Sequence, residues 1–254
     1  MFRPLLIALQ FLTVVPIRID GTPDDRETGQ SIVYYPLIGL LIGAMLAAMA
    51  WVLSEVPPLL AAALLLTMWV AVTGALHLDG LADSADAWVG GHGVPERTLE
   101  IMKDPSSGPM GVTAIVIVLI VKVAALAVLC EGECPWAFVA PPLLGRTVLP
   151  LLFLTTPYVR SGGLGARLAA HLPGRAAASS LLITSVAIPA VGGLAGFTLL
   201  FIVVTTFVLL RAAMLRRLGG TTGDTAGALV ELSEAVVLVA LVIFDRLLYG
   251  RFWS

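Results

Sequence analysis

The chain has 254 residues, of which 58% are hydrophobic and 13% are charged, and its formal net charge is −2 at pH 7. Soluble domains carry roughly 25% charged residues, so this composition excludes an ordinary soluble domain and favours an all-α bundle of membrane helices. A slightly acidic chain offers no basic surface, so nucleic acid is not an expected partner. The length suits one integral membrane domain over residues 1–254.

The hydrophobic segments, taken in chain order, predict a polytopic bundle of about six to eight membrane helices. Residues 4–17 are few for a crossing, which needs ~20 apolar residues, so we expect a half-span or an interfacial helix there. This segment has no cleavage site of small residues and is expected to be retained. The later hydrophobic segments are 32–53, 59–76, 112–130, 136–154, 180–210 and 229–244.

Two of these segments differ from a single ordinary span. Residues 180–210 are too many for one span, and the stretch "PAVGG" at 189–193 is expected to divide them into two short helices joined by a tight turn. Residues 229–244 are the weakest predicted span.

Cys130 and Cys134 flank a helix end at "EGE", and we interpret them as ordinary residues rather than as a disulfide or half of a zinc site.

The connections between the segments alternate in length and charge. Three short connections, "SEVPP", "EGECP" and "VGG", contain no Lys or Arg, whereas four longer ones carry ten of the fifteen basic residues. By the positive-inside rule, the longer connections face the cytoplasm, and we expect the active site on that polar face. They are residues 18–31, 77–111, 155–179 and 211–228.

The first chemical motif is "HLDGLADSADAW" at 77–88, directly after a hydrophobic segment. Asp79, Asp83 and Asp86 are spaced i, i+4 and i+7, which places them on one stripe of a helix. Residues 77–96 contain no Lys or Arg to offset their repulsion. The pattern favours a divalent-cation site over the alternative, a solvated acidic helix face.

The same loop, 77–111, continues with a second group of polar residues. Glu100 and Asp104 are again four apart, and Lys103 lies beside them. The turn that contains Gly108 and Gly111 precedes the next hydrophobic segment, and its backbone N–H groups are candidates for binding a phosphate. The alternative is an ordinary loop entering a membrane.

A third acidic group lies near the end of the chain. Asp224 follows a Gly/Thr-rich turn, where it is a candidate for substrate binding or for capping a helix. Glu231 and Glu234 follow within an apolar helix, and buried acids in a membrane are costly and usually functional. Either they belong to the site or they pair with Lys122 and Arg146, which also lie in apolar segments.

A cluster that offers only oxygen ligands suits Mg²⁺, Mn²⁺ or Ca²⁺. Mg²⁺ takes one or two protein carboxylates plus phosphate oxygens, so an open carboxylate site implies a phosphorylated ligand. Arg160, in "TTPYVRSGGLG", and Lys103 are the candidate phosphate partners on the same face. His77 is a candidate to orient a carboxylate, to act as a base or to cap a span. No Ser-His-Asp arrangement or P-loop pattern is present.

These motifs resemble the cobalamin (5′-phosphate) synthase family, also called the adenosylcobinamide-GDP ribazoletransferases. The resemblance rests on long stretches in the same order along nearly the whole chain. They are "LLIALQFLTVVPI", "YYPLIGLLIG", "LHLDGLADSADAW", "RTLEIMKD", "GPMGV", "TTPYVRSGGLG" and "GGTTGDTAGALVEL". The chain departs from the family pattern at 105–107, where it reads Pro-Ser-Ser and lacks an arginine, so no phosphate contact is carried over there.

The resemblance implies a Mg²⁺-dependent phosphoryl transfer late in vitamin B12 assembly. Adenosylcobinamide-GDP would be joined to α-ribazole or its 5′-phosphate with release of GMP, in the bacterial cytoplasmic (inner) membrane, with the lipid bilayer as a partner. A homo-oligomer is compatible with it.

Residue by residue, the expected metal ligands are Asp79 and Asp83, with Asp86 or Asp104 as further ligands. Lys103 and Arg160 would offset the remaining phosphate charge, and Gly108, Gly111 and Asp224 would contact substrate. The candidates for proton transfer and other catalytic roles are His77, Glu100, Lys103 and Asp104.

Two alternatives stay open at this point. CDP-alcohol phosphotransferases share the Asp-Gly start and the helical spacing of acids, although their pattern has an arginine where this chain has Asp83. A secondary transporter would use Lys122, Arg146 and Glu231 as an ion pathway. It is disfavoured because the acids concentrate in one loop and no inverted repeat is visible.

Overall fold

The structure is a computed structural model that describes residues 2–132 and 134–249; residues 1, 133 and 250–254 of the predicted domain lie outside them. The described residues are mostly α-helical, and their only extended pairing is a bridge between Tyr158 and Thr221. The all-α prediction is confirmed. The helices are α1 (Phe2–Leu12), α2 (Asp25–Ser31), α3 (Tyr35–Val52), α4 (Pro58–Thr73), α5 (Leu76–Gly90), α6 (Pro95–Ile101), α7 (Pro109–Leu129), α8 (Trp136–Thr155), α9 (Gly163–Ala170), α10 (Gly174–Leu218) and α11 (Gly223–Tyr249).

Five helical stretches of the described chain are long and apolar enough to cross a membrane. The pair α4 and α5 passes the same test as a bent unit, with 88° between its halves, which would make six. The bend lies at Gly74 and Ala75, both of which have left-handed backbone angles (φ 60° and 56°). The five stretches are Asp25–Val52, Pro109–Leu129, Trp136–Thr155, Gly174–Leu218 and Gly223–Phe244.

Helix α10 contains the predicted division of segment 180–210. Its 45 residues are interrupted at Gly193, where φ is 54° and ψ is −132°. Just beyond the break the two arms touch, because a Cβ added to Gly196 would lie 2.4 Å from the carbonyl oxygen of Ile188. A straight helix would hold these residues about 12 Å apart. Residues 174–192 and 194–218 are therefore two arms of a hairpin, each close to the ~20 residues that a span needs.

Helix α1 has 11 residues and is too short to cross, as the sequence predicts. The spanning helices pack closely where glycines leave room. A Cβ on Gly39 of α3 would lie 2.4 Å from the carbonyl oxygen of Pro142 in α8, and one on Gly43 would lie 2.6 Å from Val139 Cα. Small residues of this kind allow membrane helices to approach closely. Helix α11 occupies the centre and packs against α5, α7, α8 and α10.

The four long polar segments meet at one end of this bundle. Gly29 of the first lies against the backbone of His171 in the third. Arg160 of the third donates a hydrogen bond to Met102 O of the second (3.2 Å) and forms an ion pair with Asp224 of the fourth. This arrangement confirms that the polar segments share one face of the molecule.

Candidate active site

The aspartates of the first motif lie on α5, as their spacing predicts. α5 begins directly after the bend at Gly74 and Ala75 and runs past Asp79, Asp83 and Asp86 to Gly90. Asp79 is exposed, whereas Asp83 and Asp86 are half-buried. The opposite side of α5 packs into the bundle through Leu78, Leu81 and their neighbours.

Asp224 of α11 lies beside the aspartates of α5 because the two helices touch at positions where both lack bulky side chains. A Cβ on Gly80 of α5 would lie 2.8 Å from the carbonyl oxygen of Asp224, and one on Gly227 would lie 3.3 Å from the Cα atom of His77. This contact brings the start of α11 against the start of α5. Asp83 consequently interacts electrostatically with both Asp79 and Asp224, whose negative charges repel its own.

Arg160 partly offsets this repulsion. Its guanidinium lies 2.8 Å from a carboxylate oxygen of Asp224 and also acts on the charge of Asp83. The segment before it is fastened beside α11 by backbone hydrogen bonds, from Val159 N to Thr221 O (2.9 Å) and from Thr221 N to Pro157 O (2.8 Å). The structure thus brings together four residues that the sequence predicted for the site, namely Asp79, Asp83, Arg160 and Asp224.

These residues fit Mg²⁺ in donor type. Their three carboxylates offer hard oxygen ligands, which suit this ion. Within the described part of the chain no three acidic, His or Cys residues form a complete metal-binding group. Mg²⁺ needs only one or two protein carboxylates when phosphate oxygens and waters complete its shell. These donors would therefore suit an open site, completed by phosphate oxygens and waters, rather than a closed metal cage.

Asp86 has a different environment from the other two aspartates of α5. Its carboxylate accepts hydrogen bonds from the backbone N–H groups of Gly108 (2.6 Å), Met110 (3.1 Å) and Gly111 (2.9 Å). A Cβ on Gly108 or Gly111 would lie 2.5 Å from an oxygen of that carboxylate. Asp86 therefore caps the start of α7. Three features that the sequence suggested for ligands, Asp86, Gly108 and Gly111, bind one another instead.

Glu100, Lys103 and Asp104 lie on the exposed surface of the same loop. Glu100 pairs with Arg97 at 2.7 Å, and Asp104 accepts a hydrogen bond from Ser106 N at 2.9 Å. The hydrogen bonds from Ser106 lower the pKa of the Asp104 carboxyl. Among the described residues, none of the three has a hydrogen bond or ion pair with Asp79, Asp83 or Asp224. Lys103 follows Met102, whose carbonyl Arg160 contacts.

The buried acids of α11 are paired. Lys122 Nζ lies 2.6 Å from Glu231 and 2.5 Å from Glu234, and it sits 4.6 Å from the centre of the Trp69 ring. Arg146 forms an ion pair with Glu234. This confirms the pairing that the sequence left as one of two alternatives, and the four charges sum to zero.

The buried network continues to His77. Arg146 Nη2 lies 3.4 Å from His77 Nδ1, and the imidazole is buried. His77 therefore links the network of Lys122, Arg146, Glu231 and Glu234 to α5, two residues before Asp79. No sequence pattern predicted this link, although four ionisable residues in apolar helices did indicate a buried network.

A cavity of about 200 Å³ opens beside the carboxylates. Six helices form its walls: α1, α3, α5, α8, α9 and α11. Its polar lining residues are Asp79, Asp224 and His77. Its aromatic and aliphatic side chains include Phe11, Tyr35, Phe153, Leu164 and Leu168. No sequence pattern predicted this cavity.

Comparisons with known proteins agree on one family. The family profile described as Cobalamin-5-phosphate synthase matches residues 4–242. Proteins named adenosylcobinamide-GDP ribazoletransferase match almost end to end. That of Stutzerimonas stutzeri is 56% identical over 240 residues, covering 94% of this chain and 98% of the relative. That of Pseudomonas aeruginosa is 55% identical over 242 residues, covering 95% and 98%. No solved structure matches this chain.

Proposed function

Because the chain belongs to the cobalamin-5-phosphate synthase family, we propose that it is an adenosylcobinamide-GDP ribazoletransferase. It would join adenosylcobinamide-GDP to α-ribazole or α-ribazole 5′-phosphate and release GMP. The observation that carries this proposal is the meeting of Asp79, Asp83, Asp224 and Arg160 at one polar face, in a chain more than half identical to proteins of that name.

The proposed reaction is a phosphoryl transfer. A ribose hydroxyl attacks the phosphorus nearer the corrinoid and a new P–O bond forms. The P–O bond to GMP breaks with its electron pair leaving on GMP, and the proton of the hydroxyl passes to solvent. Such reactions depend on alignment and on neutralising charge rather than on covalent chemistry by the protein. The residues present suit this task because they place acidic and basic groups side by side.

We propose that Asp79, Asp83 and Asp224 hold the Mg²⁺ that such a reaction requires. When bound, the ion would polarise phosphate oxygens and offset the charge of the diphosphate. Arg160 would then exchange part of its interaction with Asp224 for the transferred phosphate, since guanidinium groups bind phosphate with charge-assisted hydrogen bonds. Lys103 follows Met102, whose carbonyl oxygen accepts a hydrogen bond from Arg160. Its ammonium group would offset further negative charge of the diphosphate. Asp86, Gly108 and Gly111 are left out because they satisfy one another.

The proposed location is the cytoplasmic membrane, with the site facing the cytoplasm. Ten of the fifteen Lys and Arg residues lie in the four polar segments that share the end of the bundle where the site lies, and positive loops are retained on the cytoplasmic side.

The test is GMP release by the detergent-solubilised protein from adenosylcobinamide-GDP plus α-ribazole 5′-phosphate. We expect release to need both substrates and Mg²⁺, and to stop when the metal is chelated. Asp83→Asn should lower turnover by about a hundredfold or more, because metal ligation contributes several kcal/mol of charge stabilisation.

The matched control is Asp25→Asn, an exposed aspartate whose one ion pair within the described part of the chain is a loose one with Arg167 at 3.9 Å. It should keep near-normal turnover. Release that survives both chelation and Asp83→Asn would refute the metal site, and absence of release from folded protein would direct the search to CDP-alcohol substrates.

A further inference from the structure

The cavity beside the carboxylates is small and mostly apolar. Its volume of about 200 Å³ is below the ~300–1,000 Å³ that drug-sized ligands occupy. A corrin ring with its side chains is several times larger, so the cavity admits only a ring-sized part of either substrate. Tyr35 and Leu168 in its wall are almost completely buried, so the cavity extends into the bundle rather than along its surface.

His77 brings an imidazole ring to the wall of this mostly apolar space. The side chain of arginine only donates hydrogen bonds, so Arg146 Nη2 makes His77 Nδ1 an acceptor at 3.4 Å. The neutral ring then carries its proton on Nε2. Within the described chain Nε2 has no hydrogen-bond partner, and His77 is only 5% exposed while it lines the cavity. The residues that line the cavity thus supply the Nε2–H of His77 and the hydroxyl of Tyr35, which is buried without a hydrogen-bond partner among the described residues.

These properties match a flat base with one acceptor nitrogen. The dimethylbenzimidazole of α-ribazole has two fused rings, two methyl groups and one unsubstituted ring nitrogen. Guanine also has two rings, but it carries polar groups around its edge, and burying them among Phe11, Phe153 and Leu168 without partners would be costly.

The geometry points to this cavity as the binding site of the nucleoside base, with His77 Nε2–H donating to the free ring nitrogen. The inference rests on the proposed function. With the base held between Phe153 and Leu168, the attached ribose would lie on the side of Asp79 and Asp224, where the diphosphate is expected. His77 is in this view a specificity-determining residue for the incoming nucleoside.

The first test measures binding without turnover. Equilibrium dialysis of free α-ribazole against the detergent-solubilised protein, without metal or corrinoid, should show His77→Phe to bind about tenfold more weakly, because one buried hydrogen bond is lost. In the assay, the KM for α-ribazole should rise similarly, while the KM for adenosylcobinamide-GDP stays within about twofold.

A base analogue separates the hydrogen bond from any structural effect of the substitution. An indole nucleoside has a CH group in place of the acceptor nitrogen. It should bind the native protein about tenfold more weakly than α-ribazole, and His77→Phe should bind the two nucleosides equally. Discrimination between them that survives in His77→Phe would overturn the assignment.

A second variant tests the location without changing a polar group. Leu168→Phe should fill part of the cavity and weaken α-ribazole binding by about tenfold or more. The control is Leu232→Phe, which enlarges a side chain lining a separate apolar cavity between α5, α10 and α11 and should leave binding unchanged. Equal weakening of α-ribazole binding by Leu168→Phe and Leu232→Phe would refute the assignment of the cavity to the base. Binding of GMP, but not of α-ribazole, in the cavity would also refute it. His77-dependent α-ribazole binding without any GMP release would refute the proposed function and keep the base site.

Discussion

Asp83 and Asp86 lie almost one turn apart on α5 but have different partners. Three backbone N–H groups satisfy the Asp86 carboxylate, whereas Asp83 is near two further carboxylates and Arg160. A carboxylate that already accepts three hydrogen bonds has little to offer a metal ion. We therefore expect substitution of Asp83 to lower turnover and substitution of Asp86 to lower the stability of the fold.

Asp86→Asn should destabilise the protein rather than alter its use of metal. The amide would present a donor to at least one of the backbone N–H groups, leaving a part-buried group unpaired at a cost of about 1–3 kcal/mol. Thermal unfolding in detergent should show a lowered midpoint, with the Mg²⁺ concentration for half-maximal activity unchanged in the folded fraction. A normal melting temperature combined with a weakened Mg²⁺ response would instead make Asp86 a ligand.

At the scale of helices, Lys122, Arg146, Glu231 and Glu234 join α7, α8 and α11 in the middle of the bundle. The two positive and two negative charges are mutually paired. An ion pathway needs charged groups that exchange partners, and here every one of the four has an ion-pair partner. The arrangement therefore supports a structural role for this network rather than the transporter alternative.

Lys122→Met should cost about 3–5 kcal/mol of stability, because it leaves a buried carboxylate without its countercharge. The double variant Lys122→Met/Glu231→Gln restores a neutral interior and should recover most of the loss. Thermal unfolding of the two variants in the same detergent measures this. A double variant that is less stable than Lys122→Met would contradict a neutral structural network.

At the scale of the whole molecule, orientation in the membrane can be tested with single cysteines. In a background with Cys130 and Cys134 replaced by Ala, Ser106→Cys lies in the exposed loop beside the site and Ser54→Cys in the short connection after α3. In intact cells, a membrane-impermeant thiol reagent should label Ser54→Cys and not Ser106→Cys. Inverted vesicles should give the opposite pattern. Labelling of Ser106→Cys from outside would reverse the proposed orientation.

The hydrophobic pattern was enough to predict most of the architecture. The predicted segment 136–154 corresponds to Trp136–Thr155, and the break at 189–193 falls at Gly193. These features depend on the composition of consecutive residues, so they can be predicted without knowing which distant segments pack together. The single polar face also follows from the alternation of long and short loops.

The site was predicted only in part because some of its contacts join distant positions. Asp86 reaches Gly108 across 22 residues, and Arg146 reaches His77 across 69. Spacing along one helix identifies which side chains share a stripe, but it does not identify what packs against that stripe. The cavity was missed for the same reason, since six helices contribute to its wall.

The 88° bend between α4 and α5 has a consequence for how the enzyme tolerates different membranes. If α4 follows the bilayer normal, α5 runs along the water boundary, and Asp79 and Asp83 sit at nearly the same depth. Thicker or thinner bilayers change the tilt of spanning helices, but such tilting would carry both carboxylates together. Their mutual spacing is set by one rigid turn of helix, so the distance between these two proposed ligands is insulated from lipid chain length.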